Sequence, residues 1–328
     1  MQSILPKDSF GCPYLVLAPM EGVADQFFRR AILSIGGFNE ATLEFMRVPS
    51  NAHVQSLAKK YAPYTIQSII FTPQIMGKDP NLMAQMALEL EKKGAPKIDI
   101  NCGCPADKVT RRGAGATLLK NPELLYTICS NIKKAVKIPV SAKMRSGYHD
   151  ESLFEDNLFA LQESGIDYLT IHPRTKVQGY RLRANWDLIK KAKSILKIPI
   201  VGNGDIKTIK DVQNILSLTQ CDAIMIGRGA LIDPFIFVKI QSWYQQKEYI
   251  PNWQDMQQFL TIYFSEISAL RTKTKINKLK QLFSMLMQAK PNLEKYRKEV
   301  LISPLKDPFI FFEYALNLFK KGWEENLI

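Results

Sequence analysis

The stretch IPIVGNGDI, residues 198 to 206, runs from a β-branched apolar segment straight into two glycines, an asparagine and an aspartate. Such a run reads as a short buried strand whose end turns polar where the chain must bend. The same grammar recurs on both sides of it. Upstream lie YLVLAPM (14–20), ATLEFM (41–46), YTIQSIIF (64–71), KIDIN (97–101), PVSAKM (139–144) and YLTIHP (168–173); downstream lies AIMIGRG (223–229), making eight strands. Helical periodicity fills the gaps, as in NPELLYTICSNIKKAVK, which opens on Asn121 and Pro122, an N-cap followed by a first-turn proline.

Eight strands separated by helices fit a (β/α)8 barrel and, almost as well, a doubly wound open sheet. The strand ends decide for the barrel. Met20 and Glu21, Glu44, Gln67 or Gln74, Asn101, Lys143, His172, Asn203 with Asp205, and Arg228 each fall at or just past the end of a strand. In a barrel those ends converge on one mouth, where catalytic residues gather. Past about residue 240 no further strand is expected, and WQDMQQFLTIYFSEISAL, KINKLKQLFSMLMQAKP and PFIFFEYALNLFKKGW carry helical spacing. The expected α/β architecture is therefore a TIM barrel over residues 1–240 followed by a small C-terminal helical bundle over 241–328.

Charge narrows the partners. The 328 residues carry 44 Lys and Arg against 31 Asp and Glu, and between Arg271 and Lys321 the balance is 12 to 4. A polyanion is the expected partner of such a surface. Five scattered cysteines, with no leading apolar segment and no run long enough to span a bilayer, point to free thiols in the cytoplasm and to no membrane. The chain shows no extra amphipathic segment asking for a partner, so a monomer is expected.

The loops VGNGDI (201–206) and MIGRGAL (225–231) follow the seventh and eighth strands, where barrels hold phosphate on backbone N–H groups, with Arg228 as a directional donor. Lys143, inside an apolar strand, needs an anionic or carbonyl-rich partner, and His172 points to the same centre. A phosphorylated, electron-rich cofactor satisfies both demands, and flavin mononucleotide (FMN) fits. Cys102 and Cys104 have neither a second Cys pair nor a His cluster beside them, so no metal is expected. Strand alternation sets Asn101 and Cys102 on opposite faces, and Gly103 then turns the chain so that Cys104 stands over the mouth. Cys104 is the candidate for chemistry, as nucleophile or as general acid.

APMEGVAD (18–25), NCGCP (101–105), GAGATLL (113–119), KMRSGY (143–148), IHPRT (171–175), GNGD (202–205) and IGRGAL (226–231) occur in this order over about the first 230 residues. Together they resemble the tRNA-dihydrouridine synthases. With LEFMRV (43–48) the resemblance is to the bacterial C-type branch, which acts on uridine 16 of the tRNA D-loop. It implies an FMN-bearing barrel that takes hydride from NADPH and delivers it to C6 of a uracil while a cysteine, here Cys104, protonates C5. Carried over to this chain, Pro19, Met20 and Glu21 line the flavin and Gln74 and Asn101 hydrogen-bond it, with Gln67 a rival to Gln74. Lys143 and His172 face its ring, and Asn203, Gly204, Asp205, Gly227 and Arg228 hold its phosphate. The tRNA falls to Arg271, Lys273, Lys275, Lys278 and Lys280 of the basic bundle, with Arg145 and Arg174 nearer the mouth. Pro173 stands where the pattern leads one to expect glycine.

Two rivals explain less. A dihydroorotate-type dehydrogenase acting on a free pyrimidine shares the FMN barrel and loop cysteine but has no use for a basic helical appendage. A non-catalytic RNA-binding protein keeps the charge but needs no Cys104, Lys143 and His172 together.

Overall fold

The computed structural model describes residues 3–62, 69–289 and 291–325. Among these residues ten strands form one parallel sheet: β1 Tyr14–Leu17, β2 Glu40–Thr42, β3 Met46–Val48, β4 Ile70–Thr72, β5 Gln74–Gly77, β6 Ile98–Cys102, β7 Val140–Gly147, β8 Tyr168–Thr175, β9 Ile200–Asn203 and β10 Ala223–Ile226. Their order is β3-β5-β6-β7-β8-β9-β10-β1-β2-β4. Only Pro73 separates β4 from β5. Leu43 N–H donates to Thr72 O (2.9 Å) on the β2 side, and Asp99 N–H donates to Pro73 O (3.0 Å) on the β6 side. One stave thus pairs with β2 along its first half and with β6 along its second, so the ring closes on eight staves. Proline suits the changeover, having no N–H to leave unpaired.

The third strand differs from its expected bounds. Residues 64–68 of YTIQSIIF, with Gln67, lie outside the described residues, and the strand runs on past Pro73 through QIMG. ATLEFM likewise divides into β2 and the short β3, which pairs with β5. The outward faces of the staves are apolar: Ile98, Ile100, Val140, Ala142, Leu169 and Ile171 are fully buried. Helices Pro80–Lys92 and Pro122–Ala135 supply Met83, Met86, Leu90, Leu125, Ile128 and Ile132 to the same layer. Each such side chain contributes about 1.5–3 kcal/mol. Asn121 caps the second of these helices, accepting from Leu124 N–H (2.9 Å), with Pro122 in the first turn.

The base of the barrel is polar and closed. Glu40 accepts from Tyr14 Oη (3.1 Å), Lys97 Nζ (2.9 Å), Thr72 Oγ1 (2.6 Å) and Tyr168 Oη (3.1 Å). Lys97 lies over both tyrosine rings, at 5.2 and 5.3 Å. Four donors, one of them a cation, meet the conditions under which a carboxylate can be kept in a protein interior. Leu5, Val16, Val201, Ala223 and Met225 pack around them.

The chain divides into two compact units. The barrel unit holds residues 1–19, 38–206 and 210–227; the helical unit holds 20–37, 207–209 and 228–328. The division therefore differs from a cut at residue 240, because helix Gln26–Leu33 and the segment from Arg228 group with the C-terminal helices. Those helices are Trp253–Glu266, Thr272–Leu286, Pro291–Ile302 and Pro308–Glu324. Their core is aromatic: Phe264 stacks on Phe312 at 4.4 Å, and Phe28 meets Phe259 edge-on at 6.1 Å. Among the described residues no helix is long and apolar enough to cross a membrane.

Candidate active site

Period-two alternation aims Asp99 and Asn101 of β6, Ser141 and Lys143 of β7, and Thr170 and His172 of β8 into the barrel. The first of these build a one-directional chain of hydrogen bonds. Ser141 Oγ donates to Asp99 Oδ1 (2.6 Å), and Gln74 Nε2 donates to Asp99 Oδ2 (2.6 Å). Gln74 Oε1 in turn accepts from Asn101 Nδ2 (2.7 Å). Asn101 Oδ1 then accepts the backbone N–H groups of Gly103 (3.0 Å) and Cys104 (2.8 Å). A carboxylate at one end and two peptide donors at the other leave each amide a single orientation. Burial pushes the Asp99 carboxyl up to about 6, Glu40 adding to the rise, while the bonds from Gln74 and Ser141 and the charge of Lys143 oppose it.

The network's product is the placement of Cys104. Two further bonds hold its peptide: Arg145 Nε donates to Gly103 O (3.0 Å), and Ala116 N–H donates to Cys104 O (3.1 Å). Gly115 (φ +62°) makes the last approach possible, since a Cβ there would stand 2.9 Å from Cys104 O and 3.1 Å from Cys104 Cβ. The half-buried cysteine packs with Met76, Val109, Ala114 and Phe45. Cys102 faces away, fully buried; a hydrogen bond to Cys129 and burial push its thiol well above the ordinary value. It is packing, whereas Cys104 stands in the loop after the strand.

Lys143 makes no hydrogen bond among the described residues. Burial first, and Arg145 next, lower its pKa to about 8, with Asp99 acting the other way. Its register neighbour Thr170 has a fully buried Oγ1 with no hydrogen-bond partner among the described residues. An unmatched ammonium beside an unmatched hydroxyl suits the carbonyl and nitrogen acceptors of a flavin ring, and this orphaned pair is the feature that fits that group. Arg174 Nη1 lies 3.2 Å from His172 Nε2. A guanidinium only donates, so Nε2 accepts and the imidazole carries its proton on Nδ1. At the end of β9, Gly204 (φ +108°) admits no side chain, because a Cβ would lie 2.9 Å from the His172 ring and 3.1 Å from Ala184. Asn203 Nδ2 donates to Met225 O (2.7 Å), tying the two glycine-bearing strand ends together.

Several expected residues do other work. Arg145 and Arg174, read as RNA contacts, are 2% and 3% exposed. Arg145 Nη1 donates to Thr175 O and Gly179 O (3.1 Å each), and Arg174 pairs with Asp205 (2.5 Å) and donates to Leu182 O. Both flank Tyr180, and they brace loops instead of presenting charge outward. Asp205, read as a phosphate residue, accepts from Arg174 and Ala184 N–H, which leaves its backbone as the part able to meet an anion. Pro19 and Gly227 end segments of the barrel unit, and Met20, Glu21 and Arg228 belong to the helical unit.

In the helical unit Lys278 pairs with Asp25, the N-cap of helix Gln26–Leu33, and Lys280 donates to Leu301 O (2.8 Å) and Ser303 O (2.9 Å). These two lysines join elements, whereas Arg271 and Lys273 are exposed and Lys275 is half-buried. Asp99, Ser141 and Thr170 were not singled out in the sequence. An aspartate inside the apolar run KIDIN was the available signal for the first.

The model of the dihydrouridine synthase family matches residues 16–304. The chain belongs to the dihydrouridine synthase family. Among curated members, the tRNA-dihydrouridine(16) synthase of Neisseria meningitidis serogroup B is 38% identical over 237 residues, 70% of this chain and 71% of that one. That of Shewanella oneidensis is 35% identical over 297 residues, 88% and 93% of the two chains. Among solved structures, a 2-naphthoyl-CoA reductase complex matches 72% of this dihydrouridine synthase with a TM-score of 0.52 at 12% identity. Histamine dehydrogenase from Rhizobium sp. 4-9 matches 76% at the same score and identity. This chain spans about half the length of each of those structures, and at that identity the likeness is one of fold.

Proposed function

We propose that this dihydrouridine synthase reduces uridine 16 in the D-loop of tRNA to 5,6-dihydrouridine, with FMN as bound cofactor and NADPH as reductant, as a cytoplasmic monomer. The observation that carries the reading is the clamped Cys104 peptide, held by Asn101, Arg145 and Ala116 at the end of β6. Reduced FMN, when bound, supplies hydride to C6 of the uracil. The chain supplies the rest. Lys143, Thr170 and His172 hold the flavin ring from within the barrel, and the backbone around Asn203, Gly204 and Gly227 receives its phosphate. Cys104 donates its thiol proton at C5, so that C5=C6 gains one hydride and one proton, and solvent returns the proton to sulfur. A neutral thiol is a competent acid near neutral pH.

The uracil must leave its stack to reach the barrel mouth, at a cost of roughly a few kcal/mol that is smaller in a loop than in a duplex. Phosphate contacts offset it, and in the helical unit Arg271, Lys273 and Lys275 are the side chains this reading assigns to them. The test is mass spectrometry of nuclease fragments from unmodified tRNA incubated with the holoenzyme and NADPH. A gain of two hydrogens on uridine 16 is expected. Flavin-loaded protein that leaves every tRNA unchanged overturns the reading.

A further inference from the structure

A concave groove of about 540 Å3 opens beside the Cys104 loop, within the barrel unit. Its walls come from three places: the end of β3 and the turn after it (Arg47 to Asn51), the end of β5 with the residue that follows (Met76 to Lys78), and the segment from Lys108 to Ala114. Its volume is that of an ordinary ligand site. Four cations line it, Arg47, Lys78, Lys108 and Arg112, and no carboxylate does. Neighbouring acids are engaged elsewhere: Asp79 caps helix Pro80–Lys92, and Asp107 pairs with Lys176. Lys78, Lys108 and Arg112 are exposed and make no hydrogen bond or ion pair among the described residues, while Arg47 lies over the Phe45 ring.

Like charges gathered in one concavity repel one another, and the field they sum to is relieved by an anion. The groove is also built to keep its charge in place. Gly113 (φ +78°) lets the stem of Lys78 lie across it, a Cβ there standing 3.1 Å from Lys78 Cδ. Lys108 lies in the short helix Asp107–Thr110 and Arg112 in the turn that follows it, where Arg112 N–H donates to Val109 O (3.0 Å).

The apolar floor says what the anion belongs to. Met76, Val109 and Ala114 line the groove, and the same three side chains pack with Cys104. A ligand whose phosphates occupy the groove therefore lies one layer of side chains from Cys104. We infer that the groove of Arg47, Lys78, Lys108 and Arg112 binds backbone phosphates of the RNA strand next to the uridine presented to Cys104. This rests on the proposed function, since it gives the tRNA a second set of contacts on the barrel itself. The rival source of phosphate is the dinucleotide reductant, and the test separates the two.

The experiment compares wild type, the triple variant K78Q/K108Q/R112Q, and a control, K134Q/K137Q/K197Q. The control removes the same charge from exposed positions at or near the ends of helices and just before strands, at the opposite end of the barrel. With flavin-loaded proteins one measures tRNA binding against salt, and KM for tRNA and for NADPH. Each lost phosphate contact removes roughly 0.7 to 0.9 from the slope of log K against log salt. The groove variant should therefore show a slope shallower by about two and a KM for tRNA about tenfold higher or more, with KM for NADPH unchanged. The control should stay near wild type in slope. A groove variant that binds tRNA like the control overturns the inference while leaving the proposed function intact. A change in KM for NADPH alone reassigns the groove to the dinucleotide and also overturns it. Wild-type protein that neither binds nor modifies tRNA overturns both.

Discussion

Asp99→Asn separates the charge of the buried network from its hydrogen bonds. The interval between the ordinary carboxyl value of 3.8 and about 6 corresponds to about 3 kcal/mol. Because the folded value lies above the unfolded one, the native state favours the protonated carboxyl. The stability this contributes is complete below about pH 4 and is lost as pH rises through 6. An asparagine at this position has no such dependence. Its oxygen can accept from Gln74 Nε2, and its amide can donate to Ser141 Oγ, since a hydroxyl serves in either role. The variant should therefore be more stable than wild type above pH 7 by up to about 3 kcal/mol, with a gap that closes toward pH 4. The polarity running from Gln74 through Asn101 to Cys104 is preserved, so kcat should stay near wild type. Asp99→Ala instead leaves Gln74 Nε2 and Ser141 Oγ without acceptors, at about 1–3 kcal/mol each, and frees both amides to turn. Its kcat should fall at least about tenfold, by the sensitivity of rate to misplacement of a reacting group. Urea denaturation of the flavin-loaded proteins between pH 4 and 8, with single-turnover assays at pH 7.5, reads both effects. Parallel pH profiles for wild type and Asp99→Asn, or equal kcat losses in the two variants, would refute the reasoning.

Cys104→Ala should lower dihydrouridine formation by about 10²–10⁴-fold while flavin reduction by NADPH, followed by absorbance, continues. Gly115→Ala forces an L-residue to φ +62° against Cys104 O. It should cost about 1–2 kcal/mol from the backbone alone and lower kcat about a hundredfold, with tRNA affinity unchanged in filter binding. Lys143 is charged only below its pKa of about 8, so flavin retention measured by ultrafiltration should weaken as pH rises past 8. Lys143→Met should flatten that profile; an unaltered profile assigns the titration to another group. In the helical unit, Lys278→Gln strands the buried Asp25 carboxylate and should lower the melting temperature by several degrees. Lys273→Gln, exposed, should not move it by more than scatter.

The barrel was legible because eight apolar runs end in polar residues, a pattern carried by near neighbours in sequence. Asn101 and Cys104 fall where the sequence puts them, at the end of β6 and in the loop after it, whereas Gln74, Lys143 and His172 stand within β5, β7 and β8, which run on past their predicted ends. What escaped depended on partners remote in the chain. Lys278 looks like any other lysine of a basic helix until Asp25, 253 positions earlier, comes to meet it. Arg145 and Arg174 look like surface charge until the carbonyls of Gly103, Thr175 and Leu182 turn inward toward them. The changeover at Pro73 was hidden because proline inside an apolar run normally marks the end of a strand, whereas here it marks a change of neighbour.

The cage around Glu40 has a kinetic consequence. Among the described residues Lys97, Tyr14, Tyr168 and Leu5 fill the base, so the doorway to the interior of the barrel lies at the opposite, C-terminal strand ends. Reductant and uridine must use it by turns, the first leaving before the second arrives. Double-reciprocal plots at several fixed NADPH concentrations should then be parallel lines, and an excess of either reactant should inhibit by occupying the doorway out of turn.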